Sequence, residues 1–440
     1  MNLMSCDGTV TPRVETIERT TLRVPFEKQL APHLQRWFPG VQLVDVFEVT
    51  LSDGTVGVGE ELREQTWAKT GDQATVIGRS LSEAYSSAET GAGLTMALRD
   101  AEGKVKGRPV WALLGESAAD TVQVSWWAPD LPATEWADTV TTASNRGYTH
   151  AKLKARPWCD VLRGVKMADA AAPDGFSISL DFNELLSADE STVAFLRELA
   201  GFDIVEHIES PIPEGNADGY RWLSGQLPQV SFATHFGESS VRPVPAPDAE
   251  TLRTGGVEAY VGGGGPLDAC RQDRRLSAHN RTGYYQLRGT DLSLAYAVHT
   301  VATLSAMTLP MVVRQNIYEH GLTAGSLVPM DGRVERIDAD GLGVELDRTV
   351  LDRYAVTDTT TAEPRVLIRV DLPTGEYAYY TRSWHLSEGF SAGNLPGFGA
   401  DTAFDSITRE AAADTQLWDD IAARARSKQG VRLDQRVHRQ

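Results

Sequence analysis

Between Val122 and Gln315 the chain repeats one pattern, a short apolar run followed by a helix-length amphipathic stretch. The runs are VQVSWWA, HAKLKA, FSISLDF, DIVEHIE, VSFATHF, VEAYVG, YYQLR and LPMVVRQ. Strands covered on both faces need such near-continuous apolar runs, and a helix after each makes parallel pairing the simplest arrangement. Eight of them close on themselves, so the predicted fold class is α/β with a parallel (β/α) barrel at its centre. With 440 residues, 41% of them apolar, the chain can bury a barrel core and still build additions at both ends.

The flanks read differently. TTLRVPF, VQLVDVFEVTL, the Asp53-Gly54 turn and TVGVGEE predict an antiparallel meander. Gly93 to Leu114 follows at helical spacing, broken by Gly107 and Pro109. Residues 12–121 are therefore expected to form an N-terminal α+β cap and residues 122–350 the barrel. A C-terminal extension fills 351–440, with a hairpin at Arg365–Tyr380 around Pro373-Thr374-Gly375, a glycine-rich piece at Ser387–Gly399 and a polar helix through Arg426.

Charge narrows the partners. Lys plus Arg total 42 against 60 Asp plus Glu, a formal net charge of -18, which argues against binding a nucleic-acid backbone. Cys6, Cys159 and Cys270 are scattered, a pattern that suits a reducing compartment. The opening residues carry no export signal and no stretch is long and apolar enough to span a bilayer, so the expectation is a cytoplasmic protein with a small-molecule partner.

In such barrels chemistry sits at the carboxyl ends of the strands. The second run ends in Lys152-Leu153-Lys154, and alternation puts both ammonium groups on one face. The chain has only 8 lysines against 34 arginines, and a lysine, unlike an arginine, can be desolvated into a base near neutral pH. Lys104 and Lys106 repeat the spacing at a helix end and are read as a solvated face. The third run gives Asp181 and Asn183, the fourth gives Glu209 just before Pro211, and carboxylates from successive strand ends converge as ligands for a hard dication such as Mg2+. The fifth run leaves the third ligand open between Glu238, the better oxygen donor, and His235, closer to the strand end.

Taken in order, VGVGEE, ALRDAEGKVKGRPVWALLG, KLK at 152–154, SLDFN at 179–183, IESP at 208–211 and GLGVELD at 341–347 resemble the enolase superfamily, on the mandelate racemase, muconate-lactonising enzyme and glucarate dehydratase side. The resemblance implies an N-terminal cap over a modified (β/α)7β TIM barrel. It implies Mg2+ on Asp181 and Glu209, Lys154 as the base that takes the proton α to a substrate carboxylate, and Lys152 lowering its pKa or contacting the carboxylate. A homo-oligomer is implied as well. The family's third ligand is Asp, Glu or Asn, and the expected slot lies nearer His235, 26 residues after Glu209, than Glu238, 29 residues after it. The His–Asp pair of the acid-sugar dehydratases is missing, as is the lysine of the racemases. Tyr284, Tyr285, Arg288, Arg314 and His320 stand in for the missing acid, Tyr285 foremost, while Asn183, Arg288, Arg314 and His320 are candidate substrate contacts. The leading expectation is a lyase that dehydrates a hydroxy or sugar acid. A racemase or epimerase and a catalytically silent barrel acting as a binding protein are the alternatives.

Overall fold

The computed structural model describes residues 12–87, 89–237, 246–325, 327–362, 365–395, 403–426 and 430–440. Its first layer is the meander β1 (Val14–Arg23), β2 (Leu43–Leu51) and β3 (Val56–Leu62), paired antiparallel in that order. A helix at Ala92–Lys106 lies across it. The glycines of VGVGEE make that approach possible: a Cβ at Gly57 would stand 2.1 Å from the Ala97 carbonyl oxygen, and one at Gly59 2.2 Å from that of Gly93. The helix stops where Gly107 takes a left-handed conformation, φ 59°.

The first apolar run divides. β4 (Thr121–Gln123) pairs antiparallel with β12 (Arg333–Glu335), while β5 (Trp126–Trp127) opens the parallel sheet. β6 (His150–Lys154), β7 (Ser177–Asp181), β8 (Val205–Glu209), β9 (Phe232–His235), β10 (Ala259–Gly262) and β11 (Thr282–Tyr285) follow in sequence order as neighbours. The eighth run, expected as a strand, closes the ring through isolated bridges instead, Val124 to Met311 and Gln286 to Val312. Pro310 has no N–H to offer and Arg314 turns the chain with φ 70°, which limits regular pairing to a few residues.

Two acids of the cap tie it over the barrel. Glu60 accepts from the backbone N–H groups of Thr290 (2.7 Å) and Ser293 (2.8 Å), at the start of the helix Asp291–Val301. Asp100 accepts from Val58 and Leu342 N–H, and Lys104 Nζ completes it at 2.7 Å. Lys104, expected on a solvated face, is thus held at a buried carboxylate. His299 is satisfied in the core: Nδ1 accepts from Trp111 N–H and Nε2 donates to the Leu342 carbonyl, each 3.2 Å.

The C-terminal residues form a four-stranded antiparallel sheet ordered β15 (Ala403–Thr408), β13 (Val366–Asp371), β14 (Tyr377–Tyr380) and β16 (Val431–Leu433). Period-2 alternation gives it two apolar faces. Leu367, Tyr379 and Ile407 pack under the helix Thr415–Arg426, while Val366, Ile368 and Val370 cluster with Trp37 of the cap and Leu185 of the barrel. A helix at Ser383–Ser391 then reaches the barrel mouth, where Ser387 Oγ donates to the Asn183 carbonyl at 2.7 Å. No helix among the described residues is long and apolar enough to cross a membrane.

Candidate active site

Parallel pairing places equivalent residues of neighbouring strands on the same face, and the register here runs Lys154, Asp181, Glu209, Ala233 across β6 to β9. The first three side chains meet inside the barrel mouth. Lys154 Nζ donates to Asp181 Oδ2 at 2.5 Å and to Asn183 Oδ1 at 2.9 Å. Lys152, two residues earlier and therefore on the same face, puts its Nζ 2.5 Å from Glu209 Oε2, 3.0 Å from the Tyr284 hydroxyl and 3.1 Å from Gln286 Oε1. Tyr284 donates to Glu209 as well. Asp181 and Glu209 are 1% and 0% exposed, so their charges are balanced by Lys152 and Lys154 rather than by water.

Burial and charge divide the protonation states. Desolvation pulls the Lys154 ammonium down against the attraction of Asp181, to about 8. Burial works to raise Asp181, but Lys154 and Lys152 outweigh it and hold the carboxyl below its usual range. Tyr284 is pushed well up, by burial first and then by Glu209, so its phenol stays protonated.

The end of β9 carries His235, whose Nδ1 lies 2.5 Å from Glu214 Oε1 and whose Nε2 lies 3.7 Å from Glu209 Oε1. That Glu209 oxygen is buried and has no hydrogen-bond partner. Burial acts to lower the His235 pKa, yet the Glu214 carboxylate more than offsets it and the net direction is upward. Glu214 is also held by Ser210 Oγ at 2.5 Å.

Opposite stand two arginines. Arg314 stacks over the Trp127 ring, 4.2 Å to its centroid, and donates to Gln65 Oε1 at 3.0 Å. Arg288 makes one long bond, 3.4 Å, to the Gln65 carbonyl. Among the described residues neither guanidinium forms an ion pair, and the Nε of each is buried without a partner. Burial lowers both, Arg288 to about 10 and Arg314 to about 9, the latter also because Arg288 is near. Lys154, Asp181, His235, Arg288 and Arg314 line a single pocket of about 110 Å³, with Phe38 and Gln65 of the cap and Ser383, Trp384 and Ser387 of the C-terminal unit. Gln65, Asn183, Glu184 and Arg314 of its lining hold positive φ, as does Ser210 next to Glu209. Such backbone is costly outside glycine and collects where a site requires it.

Several expected residues fall elsewhere. Tyr285 points away from the pocket and donates to the Gly264 carbonyl at 2.7 Å. The register His235, Val261, Tyr284 gives the inward position on β11 to Tyr284, not to its neighbour. His320 lies outside the pocket, stacked on Tyr354 at 5.5 Å. Glu238 lies outside the described residues. Glu214, Gln286, Gln65 and Trp384 were not anticipated. For Glu214 a signal existed, since it follows the IESP turn by three residues, but only the fold shows it returning to β9.

Residues 135–350 match the family model for the enolase C-terminal domain-like fold. The chain is 27% identical to muconate cycloisomerase 1 of Pseudomonas putida over 279 residues, 60% of this chain and 71% of that protein. Among solved structures it superposes on the muconate lactonizing enzyme of Pseudomonas fluorescens in complex with muconolactone, with TM-score 0.62 and 20% identity, over 79% of this chain and 100% of the other. An enolase of Pseudomonas fluorescens with bound magnesium, potassium and tartrate gives TM-score 0.61 and 17% identity, over 79% and 92%. These two structures share the fold.

Proposed function

We propose that the chain is a member of the enolase superfamily, and that it is a metal-dependent enzyme in which Lys154 removes the proton α to a substrate carboxylate. The observation that carries the reading is the register row Lys154, Asp181, Glu209, with a buried lysine whose pKa falls to about 8 at the floor of the pocket. An amine titrating there is a usable base near neutral pH.

The residues fit a divalent cation such as Mg2+. Asp181 and Glu209 stand side by side on adjacent strands, and Glu209 Oε1 is a buried carboxylate oxygen that accepts no hydrogen bond from the protein, with His235 Nε2 3.7 Å away. Asp181, Glu209 and the donor at the end of β9 would hold the ion, which supplies a fixed positive charge beside the carboxylate where negative charge develops.

The chain's own groups account for the rest. Arg288 and Arg314, unpaired among the described residues, bind and orient the acid. Trp127 behind Arg314 fixes the guanidinium plane. Lys152 and Tyr284 hold Glu209 in place, and Lys152, a second cation beside Lys154, favours its neutral form. Asn183 accepts from Lys154 and aims its amine. Among the described residues no second amine or free imidazole faces Lys154 from β10 or β11, whose inward positions are Val261 and Tyr284. One base that also returns the proton suits elimination of water from a hydroxy or sugar acid better than racemisation, which needs donors on both faces. The test is exchange of the α-hydrogen in deuterium oxide across a panel of hydroxy acids, with dehydration followed by 2-oxo acid formation. Exchange lost in Lys154→Met, with product, supports the lyase. Exchange with inversion and no product supports the racemase, and no exchange on any acid leaves the barrel a binding protein.

A further inference from the structure

We infer that the cation site built on Asp181 and Glu209 takes an imidazole nitrogen, His235 Nε2, as its third protein ligand, and that it therefore prefers a borderline transition-metal dication such as Mn2+ or Co2+ to Mg2+. The inference rests on the reading of Asp181 and Glu209 as cation ligands given above.

Three features of the structure carry it. His235 closes β9 with its ring in the pocket that Asp181 lines, on the strand next to Glu209. Its Nδ1 is taken by Glu214 at 2.5 Å, so Nε2 is the nitrogen left to face the pocket, 3.7 Å from the unpartnered Glu209 Oε1. Glu214 is itself fixed, by Ser210 Oγ at 2.5 Å and by the His235 backbone N–H at 3.4 Å. A carboxylate gripping one imidazole nitrogen while the other points at an oxygen ligand is the arrangement by which proteins orient histidine toward a metal.

The selectivity follows from the donor. Magnesium is a hard ion that demands oxygen and gives up water reluctantly, so an imidazole in place of a carboxylate removes both a preferred atom and a negative charge. First-row transition dications accept imidazole readily, and cobalt more than manganese. Glu214 makes the imidazole a better donor without itself reaching the ion.

The experiment uses the full chain stripped with chelator, with Mn2+, Co2+ and Mg2+ as probes. Affinities come from calorimetry with competition, and ligation from the nitrogen modulation of the Mn2+ electron spin-echo signal. Expected are Mn2+ binding about tenfold or more tighter than Mg2+, a clear imidazole nitrogen signal, and a loss of Mn2+ affinity of about 10- to 100-fold in Glu214→Gln. His235→Asp should remove the nitrogen signal and shift the Mn2+ to Mg2+ affinity ratio at least about tenfold toward Mg2+. His235→Asn, milder in charge, should remove the signal too, and circular dichroism confirms that each variant folds. An oxygen-only signal in the unaltered protein, or a cation ratio indifferent to both His235 variants, overturns the inference and points to a ligand other than His235, such as Glu238. No binding of any of the three cations, or binding unchanged in Asp181→Asn with Glu209→Gln, overturns the cation site itself.

Discussion

Lys154 and Asp181 are register partners on adjacent strands, and their side chains meet at 2.5 Å with both residues under 10% exposed. The pair sets two opposing requirements. Asp181 stabilises the charged amine, while burial and Lys152 favour the neutral one, and the balance leaves the amine near the pH at which a base is useful. Lys154→Met removes the base and leaves the buried Asp181 carboxylate with Lys152, 3.4 Å away, as its nearest cation and the Asn183 N–H, 2.9 Å away, as its hydrogen-bond donor. The expected result is α-hydrogen exchange reduced by about a thousandfold or more and a loss of stability of about 3 kcal/mol. Deuterium exchange and urea unfolding measure the two effects, and exchange retained within tenfold would remove Lys154 from the chemistry.

The pH profile follows from the same balance. Lys154 acts as a base only when neutral, so the exchange rate should rise with pH and level off above about 8. A dication in the site stabilises the neutral amine further, so saturating metal should move the limb to lower pH. A profile that falls with rising pH over this range, or a limb that moves upward with metal, would contradict the assignment.

Arg288 and Arg314 present the pocket with two desolvated cations that lack a carboxylate among the described residues. An arrangement of that kind opposes folding and favours an anionic ligand. Arg288→Met should therefore raise the half-saturating concentration of the acid substrate by about 10- to 100-fold, the value of one charge-assisted hydrogen bond. Its thermal midpoint should hold or rise, because the Gln65 contact it loses is a long one. Steady-state exchange kinetics and a thermal scan give both numbers. A lower midpoint with unchanged saturation would make Arg288 a structural residue.

How far the residues alone disclosed this arrangement depended on range. Lys152, Lys154, Asp181 and Glu209 were legible because strand alternation is local and each ends a recognisable apolar run. The choice between Tyr284 and Tyr285 was not, since parity on β11 is decided by its pairing to β10 and not by anything in YYQLR. His320 looked close to the last strand, but the chain leaves the barrel after Arg314 and carries it to Tyr354. Glu214 and Gln65 reach the site from loops, and Ser383 and Trp384 from a unit more than 60 residues beyond the last barrel segment. Contacts of that span leave no periodic trace in the sequence.

The C-terminal unit is expected to shape specificity rather than chemistry. Trp384 lines the pocket while Ser387 anchors its helix to the Asn183 carbonyl. Trp384→Ala removes apolar wall and no titrating group, so saturation should weaken by about tenfold for the preferred acid. The pH limb of exchange should stay where it is. A panel of acids of increasing size reads this directly: the variant should lose discrimination among them. Unchanged discrimination would confine the unit to a packing role.

Acid sensitivity of the fold comes from histidines buried in the neutral form. Burial lowers His299 to about 4 and His207 to about 3, and lowers His150 well below its usual value. The unfolded chain protonates these groups near 6.5 and the folded chain resists, so the unfolded state binds more protons and stability must fall as pH falls. The stabilisation is complete above about 6.5 and is lost progressively down to about 4, where His299 alone accounts for about 3 kcal/mol. His299→Gln can preserve both the acceptor for Trp111 N–H and the donor to Leu342 while removing the titration. Urea midpoints measured at about pH 7.5 and pH 5 should therefore differ less in the variant than in the unaltered chain. Equal differences in the two proteins would show that His299 is not among the groups that carry the acid response.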